Sequence, residues 1–421
     1  MAKKYVIEGG KKLEGTTYVS GSKNASLPII AATILNGGIN KLYNVPNIHD
    51  TKMMFKILET LGCKIKKNNG KIIIDSRNIT GFEIPENLMS QMRSSVIIAG
   101  ALLSRKKKVI FTYPGGCDIG SRPIDLHIKS FEKLGVNVKE EFGDIHCEVN
   151  EIVGTDIHLD FPSVGATENI MLASVFAKGI TTINNAAMEP EIVDLQNALN
   201  SMGAKISGAG TNNIIIKGVE KLKDLSYNII PDRIEAGTLL CSAAITGGNI
   251  KLQKVNPEHI KTLLNKLEEM GCNIKVNKNE ISLIAPKKLK AVDIKTLPYP
   301  GFPTDLQSIL GVTLTVAKGT SVIVENIFEN RYRYLTELTK MGAKSTTEGR
   351  TAVIKGVRRL SKANVRATDL RGGAALVLAA LNAKGRTYID NIEYILRGYE
   401  KLDTKLNSLG ANIIIEEKYN M

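Results

Sequence analysis

The sequence has no tryptophan, and aromatic residues of all kinds make up 5% of its 421 residues. Proteins that bind single-stranded nucleic acid need aromatic side chains on which bases stack, so this shortage argues against a nucleic-acid binder. The net charge of +14 still predicts an attraction for anions, through solvated lysines at strand ends or through arginines around a bound phosphate or carboxylate. The positions of the basic residues must decide between these two interpretations.

Long apolar runs are also absent. The stretch Val96–Leu103 is one of the longest, and it falls far short of the roughly 20 residues that a membrane-spanning helix needs. No apolar run follows the N-terminal Met-Ala-Lys-Lys-Tyr, and the balance of 43% hydrophobic and 23% charged residues is typical of a globular protein. We therefore expect a cytoplasmic protein without a membrane partner, and its length predicts two domains.

Cysteine and histidine are few and show no ligand pattern. The five cysteines are an odd number without a Cys-x-x-Cys pair, and the five histidines lack metal-ligand spacing, so neither a disulfide framework nor a zinc site is predicted. Nucleotide-binding motifs are missing too, because there is no Walker loop and Gly208-Ala-Gly210 is followed by Thr211. The histidines are expected at the surface or behind the residues of a site.

The sequence does contain a six-fold internal repeat. Leucine or methionine followed by glycine ends a helical pattern at six places that are 68 to 73 residues apart, and a strand pattern follows each time. The six glycines are Gly62, Gly135, Gly203, Gly271, Gly342 and Gly410. Each is predicted to cap a helix just before a half-buried strand.

Each repeat also has an earlier helix that is apolar on all sides. These helices are predicted at 25–35, 94–103, 166–177, 234–246, 305–317 and 370–381. A turn and a β-branched strand follow, so one repeat reads strand, helix, strand, helix, strand, strand, a βαβαββ unit. This alternation predicts an α/β fold in which helices cover sheets.

The N-terminus is expected to complete the sixth repeat, which is short by one segment. Residues 5–14 resemble the segments 214–223 and 352–361, which end other repeats. This closure predicts a discontinuous domain from residues 1–21 and 230–421 and a second domain from residues 22–229, with three repeats in each. The binding site is expected in the cleft between the two domains.

Basic residues stand at helix starts, where free amide groups and the helix dipole favour anions. Lys23, Arg93 and Arg371 flank three of the apolar helices and predict anion sites. The aspartates at similar positions are Asp232, Asp305 and Asp369. For each aspartate, capping of the helix is the alternative to a chemical role.

The flanks of the second helices differ most between repeats. Three arginines, Arg122, Arg331 and Arg397, hold equivalent positions there. Together with Lys23 and Arg371 they are predicted to converge on a small, multiply charged anion, because guanidinium groups bind carboxylate and phosphate bidentately.

Cys117 stands apart from the other cysteines. It lies in a glycine-rich loop with Arg122, where amide donors and a cation favour a thiolate or hold a thiol ready for proton transfer. The cysteines at positions of small core residues are Cys63, Cys147, Cys241 and Cys272. We therefore predict a chemical role for Cys117 alone.

Seven segments spread over the whole chain together resemble one enzyme family. They are Gly21-Ser-Lys-Asn24, Pro114-Gly-Gly-Cys-Asp-Ile-Gly-Ser-Arg-Pro-Ile-Asp-Leu-His127, Phe161-Pro-Ser-Val-Gly-Ala-Thr167, Pro231-Asp-Arg-Ile-Glu235, Glu329-Asn-Arg331, Ala367-Thr-Asp-Leu-Arg371 and Arg397-Gly-Tyr-Glu400. They resemble the UDP-N-acetylglucosamine 1-carboxyvinyltransferases, a branch of the enolpyruvyl transferases in which the cysteine loop is specific. The resemblance implies a two-domain inside-out α/β barrel, which agrees with six repeats in two sets of three.

The resemblance also implies a reaction. The enolpyruvyl group of phosphoenolpyruvate would move to the 3′-hydroxyl of UDP-N-acetylglucosamine with release of phosphate, the first committed step of peptidoglycan precursor synthesis. Lys23, Arg122 and Arg397 would hold the phosphate, and Arg331 and Arg371 the carboxylate. Because such cations can replace a metal, no cofactor and no metal are implied.

Further roles follow from the same resemblance. Asp305 would be the base or orienting group for the 3′-hydroxyl, and Cys117 matches the lid cysteine that forms a covalent adduct and is attacked by fosfomycin. The implied catalytic residues are Lys23, Cys117, Asp305 and Arg397. The other residues implied to bind the sugar nucleotide are Asn24, Arg93, Pro123, Ile124, Asp125, Leu126, Ser163, Val164, Gly165 and Ile327.

The chain departs from the family pattern before Arg397, after Arg371, and at Asp118 and Ser121 in the Cys117 loop, and one rival enzyme shares most of the site. Leu396 precedes Arg397 where the family commonly has an aspartate, and Gly372 and Gly373 follow Arg371 where bulkier residues occur. The related branch that acts on shikimate 3-phosphate would use the same cations but has no use for the Cys117 loop. The sequence predicts no oligomeric state.

Overall fold

The structure is a computed structural model that describes residues 3–68, 70–115, 119 and 124–417. It divides into two compact units, which we call terminal and central. The terminal unit contains residues 3–20 and 231–417 together with Ile119, and the central unit contains residues 21–115 and 124–230. None of the helices in these ranges has the length and apolar character that crossing a membrane requires.

Strands and helices alternate along both units. The strands are β1 (Lys3–Gly9), β2 (Glu14–Tyr18), β3 (Ile39–Tyr43), β4 (Lys64–Asn68), β5 (Lys71–Asp75), β6 (Lys108–Thr112), β7 (Asn137–Glu141), β8 (Asp144–Glu148), β9 (Asp156–His158), β10 (Ile180–Asn184), β11 (Lys205–Ser207), β12 (Asn213–Lys217), β13 (Ser226–Asn228), β14 (Asn249–Gln253), β15 (Asn273–Asn277), β16 (Glu280–Ile284), β17 (Ile294–Lys295), β18 (Thr320–Val324), β19 (Lys344–Glu348), β20 (Thr351–Lys355), β21 (Asn364–Arg366), β22 (Gly385–Asp390) and β23 (Ile413–Glu417). The α-helices are α1 (Lys23–Ala32), α2 (His49–Thr60), α3 (Glu86–Met89), α4 (Ile97–Lys106), α5 (Asp125–Lys133), α6 (Val164–Ser174), α7 (Pro190–Ser201), α8 (Arg233–Thr246), α9 (Lys261–Glu269), α10 (Gln307–Leu314), α11 (Arg333–Lys340), α12 (Leu370–Asn382), α13 (Glu393–Leu396) and α14 (Leu402–Ser408). Short 3-10 turns at Arg93–Val96 and Thr304–Leu306 lead into α4 and α10.

The six-fold repeat predicted from the sequence is confirmed. Its pattern is complete in β9-α6-β10-α7-β11-β12, whose four strands form one sheet in the order β11-β12-β10-β9. The repeat that contains α4 and α5 departs from the pattern, because its sheet has three strands and Glu83 supplies only a single bridge to Ile110. All six repeat glycines have positive φ, between 84° and 104°, a conformation that residues with a Cβ seldom adopt. They therefore end the helices as expected.

The N-terminal strand completes the sixth repeat, as the sequence predicted. Strand β1 lies between β22 and β23 and pairs with both in antiparallel register, with Tyr5 opposite Ile389 on one side and Ile415 on the other. Tyr5 is buried, so this strand is part of the core of the terminal unit. Five residues later the chain continues into β2, which pairs in parallel with β14 of the same unit.

The apolar helices form the interior of each unit, and the sheets lie outside them. In the central unit α4 contacts both α1 and α6, and in the terminal unit α8, α10 and α12 contact one another. Every residue of α12 except its last is buried, whereas β7 on the outside has mostly exposed side chains. This arrangement buries helices that are hydrophobic all round and leaves each sheet with one solvated face, which is the inside-out α/β fold that the family resemblance implied.

Close contacts between these helices depend on glycine. A Cβ on Gly100 of α4 would lie 2.4 Å from the carbonyl oxygen of Asn169 in α6, which is backbone and has no room to move. The contact brings the two helices together at one place in the central unit. It also fixes the position of Asn169 relative to the start of α4. Asn169 in turn contacts His127 of the candidate site.

Candidate active site

One aspartate binds two arginines in the terminal unit. The carboxylate of Asp305 accepts a hydrogen bond from Nη2 of Arg331 at one oxygen, and from Nη2 and Nε of Arg371 at the other, at 3.0 and 3.3 Å. Both arginine side chains are only 4% exposed, whereas the side chain of Asp305 is 28% exposed, so the guanidinium groups are buried and the carboxylate stays partly accessible. Two buried cations share one anion, and this cluster therefore has an excess of positive charge that favours a further anion.

A buried glutamate at the end of β18 positions the backbone around this cluster. The two oxygens of Glu325 accept hydrogen bonds from Thr304 Oγ1 at 3.0 Å and from the backbone N–H of Ile327 at 2.9 Å. Thr304 precedes Asp305, and its carbonyl oxygen accepts from Nε of Arg331 at 3.4 Å. Glu325 therefore ties the Asp305 turn to the segment that contains Ile327, although sequence reasoning gave it no role.

Arg371 is held by the start of its own helix and by an aromatic ring. Asp369 accepts hydrogen bonds from the N–H groups of Arg371 and Gly372, and the guanidinium carbon lies 5.2 Å from the ring centroid of Tyr399. Burial lowers the pKa of Arg371, but Asp305, Tyr399 and Asp232 raise it by more, so this side chain stays charged. No described residue forms a hydrogen bond with its buried Nη1, which leaves one donor for a ligand.

The three aspartates at helix starts have different roles. Asp232 and Asp369 are N-caps, because each accepts two backbone N–H groups of the first turn of α8 or α12 at 2.8 to 3.0 Å. Capping is therefore the right interpretation for these two residues. It is the wrong one for Asp305, whose helix has no side-chain cap and whose carboxylate pairs with arginines.

Arg397 is half-buried at the end of α13, two residues before Tyr399. Its neighbour Leu396 is also half-buried. The glycines after Arg371 have a local explanation, since a Cβ on Gly372 would lie 2.5 Å from Oδ2 of Asp369 and one on Gly373 would lie 2.8 Å from Ile395. The start of α12 is thus packed too closely in this chain for larger residues.

Lys23 has a carboxylate partner in the central unit that the sequence did not predict. It is the first residue of α1, whose N-cap Ser22 accepts from the N–H of Ala25, and its Nζ lies 3.4 Å from Oδ2 of Asp50. The side chain of Asp50 is 2% exposed and that of Lys23 is 13% exposed. A buried carboxylate therefore holds this ammonium group in place, and Asn24 follows it half-buried on the same helix.

The start of α6 supplies backbone donors. Ser163 is the N-cap and accepts from the N–H of Ala166, while no described residue accepts from the N–H groups of Val164 and Gly165. All three of the predicted residues Ser163, Val164 and Gly165 are partly accessible. Free amide groups at a helix start attract anions, which agrees with the predicted role of this turn.

His127 lies against this turn. The histidines were expected at the surface or behind the residues of a site, and His127 fits the second alternative, because it is 6% exposed and its ring edge faces Gly165. Its Nδ1 is 2.8 Å from Nδ2 of the buried Asn169. Burial and then the charge of Arg93 lower the pKa of His127 to about 3, so the ring is neutral near pH 7.

A group of carboxylates also lies in the central unit behind α6. Burial, reinforced by Glu191 and Glu189, raises the pKa of Glu168 well above its usual range, which favours its protonated form. Burial also raises the pKa of Asp194 to about 6, although Tyr227 and the N–H of Ile230 donate hydrogen bonds to it. The acidic segment 189–194 was visible in the sequence, but Glu168 was hidden in an apolar helix.

The remaining predicted residues are distributed as follows. Ile124 is buried just before α5, Asp125 is exposed at the start of that helix, and Leu126 and Arg93 are half-buried. Cys117, Arg122 and Pro123 lie outside the described residues. Within the ranges that the structure covers, no group of three His, Cys, Asp or Glu side chains has the arrangement of a metal site.

The other four cysteines are core residues, as the repeat comparison predicted. All four are buried: Cys63, Cys147, Cys241 and Cys272. Burial raises the pKa of each thiol, to about 12 for Cys63, Cys147 and Cys272. These thiols are therefore poor nucleophiles.

Comparison with known proteins identifies the class of enzyme. Residues 7–406 match the EPSP synthase (3-phosphoshikimate 1-carboxyvinyltransferase) family. The chain is 54% identical over 412 residues to UDP-N-acetylglucosamine 1-carboxyvinyltransferase 2 of Caldanaerobacter subterraneus subsp. tengcongensis, covering 98% of this chain and 99% of that one. It therefore belongs to the carboxyvinyltransferase, or enolpyruvyl transferase, family.

Two solved structures share the fold. The enolpyruvyl transferase NikO from Streptomyces tendae superposes with a TM-score of 0.89 at 24% identity, over 98% of this chain and 99% of that one. EPSP synthase from Acinetobacter baumannii gives a TM-score of 0.76 at 18% identity, over 99% and 100%. Both likenesses agree with the two-unit α/β architecture of six repeats.

Proposed function

We propose that this protein transfers the enolpyruvyl group of phosphoenolpyruvate to the 3′-hydroxyl of UDP-N-acetylglucosamine and releases phosphate. This reaction begins peptidoglycan precursor synthesis. The observation that carries the proposal is the near-complete match to a relative named for this activity, at 54% identity over 98% of the chain. The cluster of Asp305, Arg331 and Arg371 supports it, because a buried excess of guanidinium charge suits an anionic donor substrate.

The two arginines would bind the carboxylate of phosphoenolpyruvate. Arg331 and Arg371 are buried, preorganised by Asp305, and Nη1 of Arg371 has no partner among the described residues. A substrate carboxylate placed there gains charge-assisted hydrogen bonds without a further desolvation cost for the protein groups. Lys23, Arg122 and Arg397 would bind the phosphate, and Asp50 would keep Lys23 oriented toward it.

The reaction forms one carbon–oxygen bond and later breaks another. The 3′-hydroxyl oxygen attacks C2 of phosphoenolpyruvate while C3 gains a proton, which gives a tetrahedral intermediate that still carries the phosphate. The C2–O bond to phosphate then breaks as C3 loses a proton, which restores the C2=C3 double bond and leaves the sugar oxygen on C2 as an enol ether. Asp305 would accept the hydroxyl proton or orient that hydroxyl, and the cations stabilise the phosphate as it leaves.

Cys117 and the residues for the sugar nucleotide complete the proposal. We propose that it acts as the lid cysteine and that fosfomycin alkylates its sulfur from the phosphate subsite. The sugar nucleotide would use Asn24, Arg93, the first turn of α6, Asp305 and Ile327. Both substrates are metabolites of the cytoplasm, which we propose as the compartment, and no protein or nucleic-acid partner is needed for this reaction.

Phosphate release tests the proposal against the shikimate branch. The protein is mixed with phosphoenolpyruvate alone, with UDP-N-acetylglucosamine added, or with shikimate 3-phosphate added, and the product is identified by NMR. We expect release only with the sugar nucleotide. Release only with shikimate 3-phosphate would assign the protein to the other branch, and no release with either acceptor would reject the proposed function.

A pair of variants shows that the site described here performs the reaction. Asp305→Asn removes the anion shared by Arg331 and Arg371 and should reduce kcat by about 100-fold or more. Asp156→Asn makes the same chemical change at an exposed position in β9 and should leave turnover unchanged. Equal activity of the two variants would remove Asp305 from the mechanism.

A further inference from the structure

The side-chain amide of Asn169 can adopt only one orientation. Its Oδ1 accepts from the backbone N–H of Gly100 at 2.9 Å, and its Nδ2 donates to the carbonyl oxygen of Val96 at 3.0 Å. A flipped amide would place Nδ2 against the N–H donor of Gly100 and Oδ1 against the carbonyl acceptor of Val96. The residue is completely buried, so water cannot compensate for such a mismatch.

This orientation determines the tautomer of His127. The second hydrogen of Nδ2 points to Nδ1 of His127 at 2.8 Å, so Nδ1 must accept and cannot carry a proton. The imidazole is then neutral and has its proton on Nε2. A protonated imidazole would place an N–H against the amide hydrogens of Asn169, which explains on geometric grounds why the neutral form is favoured.

The Nε2–H group lies beside the first turn of α6. A Cβ on Gly165 would be 3.2 Å from Cε1 and 3.4 Å from Nε2 of His127, so glycine at this position leaves room for that edge of the ring. No described residue accepts a hydrogen bond from Nε2, nor from the backbone N–H groups of Val164 and Gly165. Three N–H donors of three different residues therefore meet at one place in the central unit.

We propose that Asn169 is a positioning residue, which fixes His127 as the neutral Nε2–H tautomer and so adds a side-chain donor to the backbone donors at the start of α6. The inference rests on the proposed function and extends it, because the matching ligand is a phosphoryl oxygen of the sugar nucleotide. A neutral donor with a fixed proton needs no protonation step before the ligand binds. Asn169 touches no substrate in this scheme and acts only through His127.

The tautomer can be observed directly in the ligand-free protein. Long-range proton–nitrogen NMR spectra of histidine-labelled protein distinguish Nε2–H, Nδ1–H and doubly protonated rings, and the His127 signals are those missing from a His127→Asn spectrum. We expect the Nε2–H pattern at pH 7. An Nδ1–H pattern or a doubly protonated ring would overturn the proposal.

Two variants of His127 test the roles of its two ring nitrogens separately. His127→Asn keeps an oxygen near the position of Nδ1 to accept from Asn169 but has no donor near Nε2, so the Kd for UDP should rise about 10- to 100-fold. His127→Gln reaches the position of Nε2 with an amide N–H and should stay within about fivefold of the wild type, although it loses the contact with Asn169. Equal affinity of the Asn variant and the wild type for UDP would contradict the proposal.

Asn169→Asp tests the positioning role itself. A carboxylate can accept from Gly100 but cannot donate to Nδ1, so it should convert His127 to a ring with a proton on Nδ1 and raise KM for UDP-N-acetylglucosamine by about tenfold while kcat changes little. An unchanged tautomer in this variant would refute the role of Asn169. Should the variant fail to fold, the wild-type spectrum and the two His127 variants decide the question.

The failure of the inference differs from the failure of the proposed function. A wild-type protein that released no phosphate with UDP-N-acetylglucosamine would refute the function, whatever the tautomer. Normal phosphate release together with an Nδ1–H ring would leave the function intact and overturn only the assignment of Asn169 and His127.

Discussion

A buried ion pair at the edge of the terminal unit gives the sharpest test of the energetics. Nζ of Lys405 contacts both Oε1 of Glu235 and Oγ of Ser20, and the backbone N–H of Ser20 donates to Oε2 of Glu235 at 2.6 Å. Lys405 and Glu235 are 5% and 3% exposed. Ser20 ends the N-terminal segment of this unit, and its carbonyl oxygen accepts from the N–H of Asp232, where the chain returns.

The perturbation is Lys405→Met, which keeps an unbranched apolar side chain and removes the ammonium group that lies 5.1 Å from the ring centroid of Tyr18. Removal of one partner from a buried pair leaves an uncompensated carboxylate, so we expect a loss of about 3–5 kcal/mol in the free energy of unfolding at pH 8. Replacement of both partners removes that penalty. Lys405→Met combined with Glu235→Gln, which keeps an oxygen for Ser20, should recover at least half of the loss.

The pH dependence of this loss follows from Glu235. Burial raises its pKa from 4.5 to about 7 although Lys405 lowers it, so its contribution to stability is full below pH 4.5 and is lost as the pH rises through 7. Without Lys405 the pKa must rise further. At pH 5.5 Glu235 is therefore protonated in both proteins. Between pH 5.5 and pH 8 only the wild type loses this proton, with a midpoint at about pH 7, so Lys405→Met should cost less at pH 5.5 than at pH 8 by up to about 1.4 kcal/mol.

Urea unfolding followed by circular dichroism at pH 5.5 and pH 8 measures these differences. The wild type and the two single and one double variants are compared at each pH, as a double-mutant cycle. A Lys405→Met variant as stable as the wild type at pH 8, or a cost that is larger at pH 5.5 than at pH 8, would refute the reasoning. A double variant no more stable than Lys405→Met would do the same.

Three further predictions concern the site. Arg371→Lys and Arg331→Lys should each lower kcat/KM for phosphoenolpyruvate by about 100-fold, because an ammonium group cannot form both contacts with a carboxylate. The control Arg386→Lys, at an exposed position, should have the wild-type kcat/KM. Equal kcat/KM values for the control and the two site variants would show that Arg331 and Arg371 do not bind the substrate carboxylate. Asp50→Asn should lower the same constant about tenfold with an unchanged circular dichroism spectrum, since Lys23 loses its anchor, and full activity would contradict that role. Cys117→Asp should keep turnover and resist fosfomycin, whereas Cys117→Ser should lose much of the turnover. Peptide mapping of the wild type after fosfomycin treatment should find the adduct on Cys117. An adduct on Cys63, Cys147, Cys241 or Cys272 would contradict the assignment.

The fold could be predicted because its signals are local and occur six times. A glycine that ends a helix with positive φ, such as Gly62, lies directly after the last turn of that helix. The signals for helix, cap and strand are therefore adjacent in the sequence. The closing strand β1 was predictable for the same reason, since residues 5–14 repeat a pattern seen in two other units. Because the same local pattern occurs six times, the repeats together predict the architecture more reliably than any one of them would alone.

The side-chain partners of the site could not be predicted in this way. Lys23 and Asp50 are 27 residues apart, Asp305 and Arg371 are 66 apart, and His127 and Asn169 are 42 apart. No periodicity relates the members of such pairs, because each depends on how two helices or a helix and a turn meet. Asp50 and Asn169 were therefore missed, and His127 was covered only by the general expectation that the histidines lie at the surface or behind the residues of a site.

The aspartates at the helix starts show where sequence reasoning ends. Asp232 and Asp369 stand directly before the first residue of an α-helix, so their carboxylates reach the N–H groups two and three residues further on. Asp305 follows Pro303 inside a 3-10 turn, and α10 starts only two residues later, so its carboxylate is turned away from the amides of that helix and toward Arg331 and Arg371. The same residue type at equivalent repeat positions is thus a cap in two repeats and a partner of arginines in a third. The difference comes from the 3-10 turn before α10 and from the nearby guanidinium groups of Arg331 and Arg371. Neither feature can be inferred from the aspartate itself.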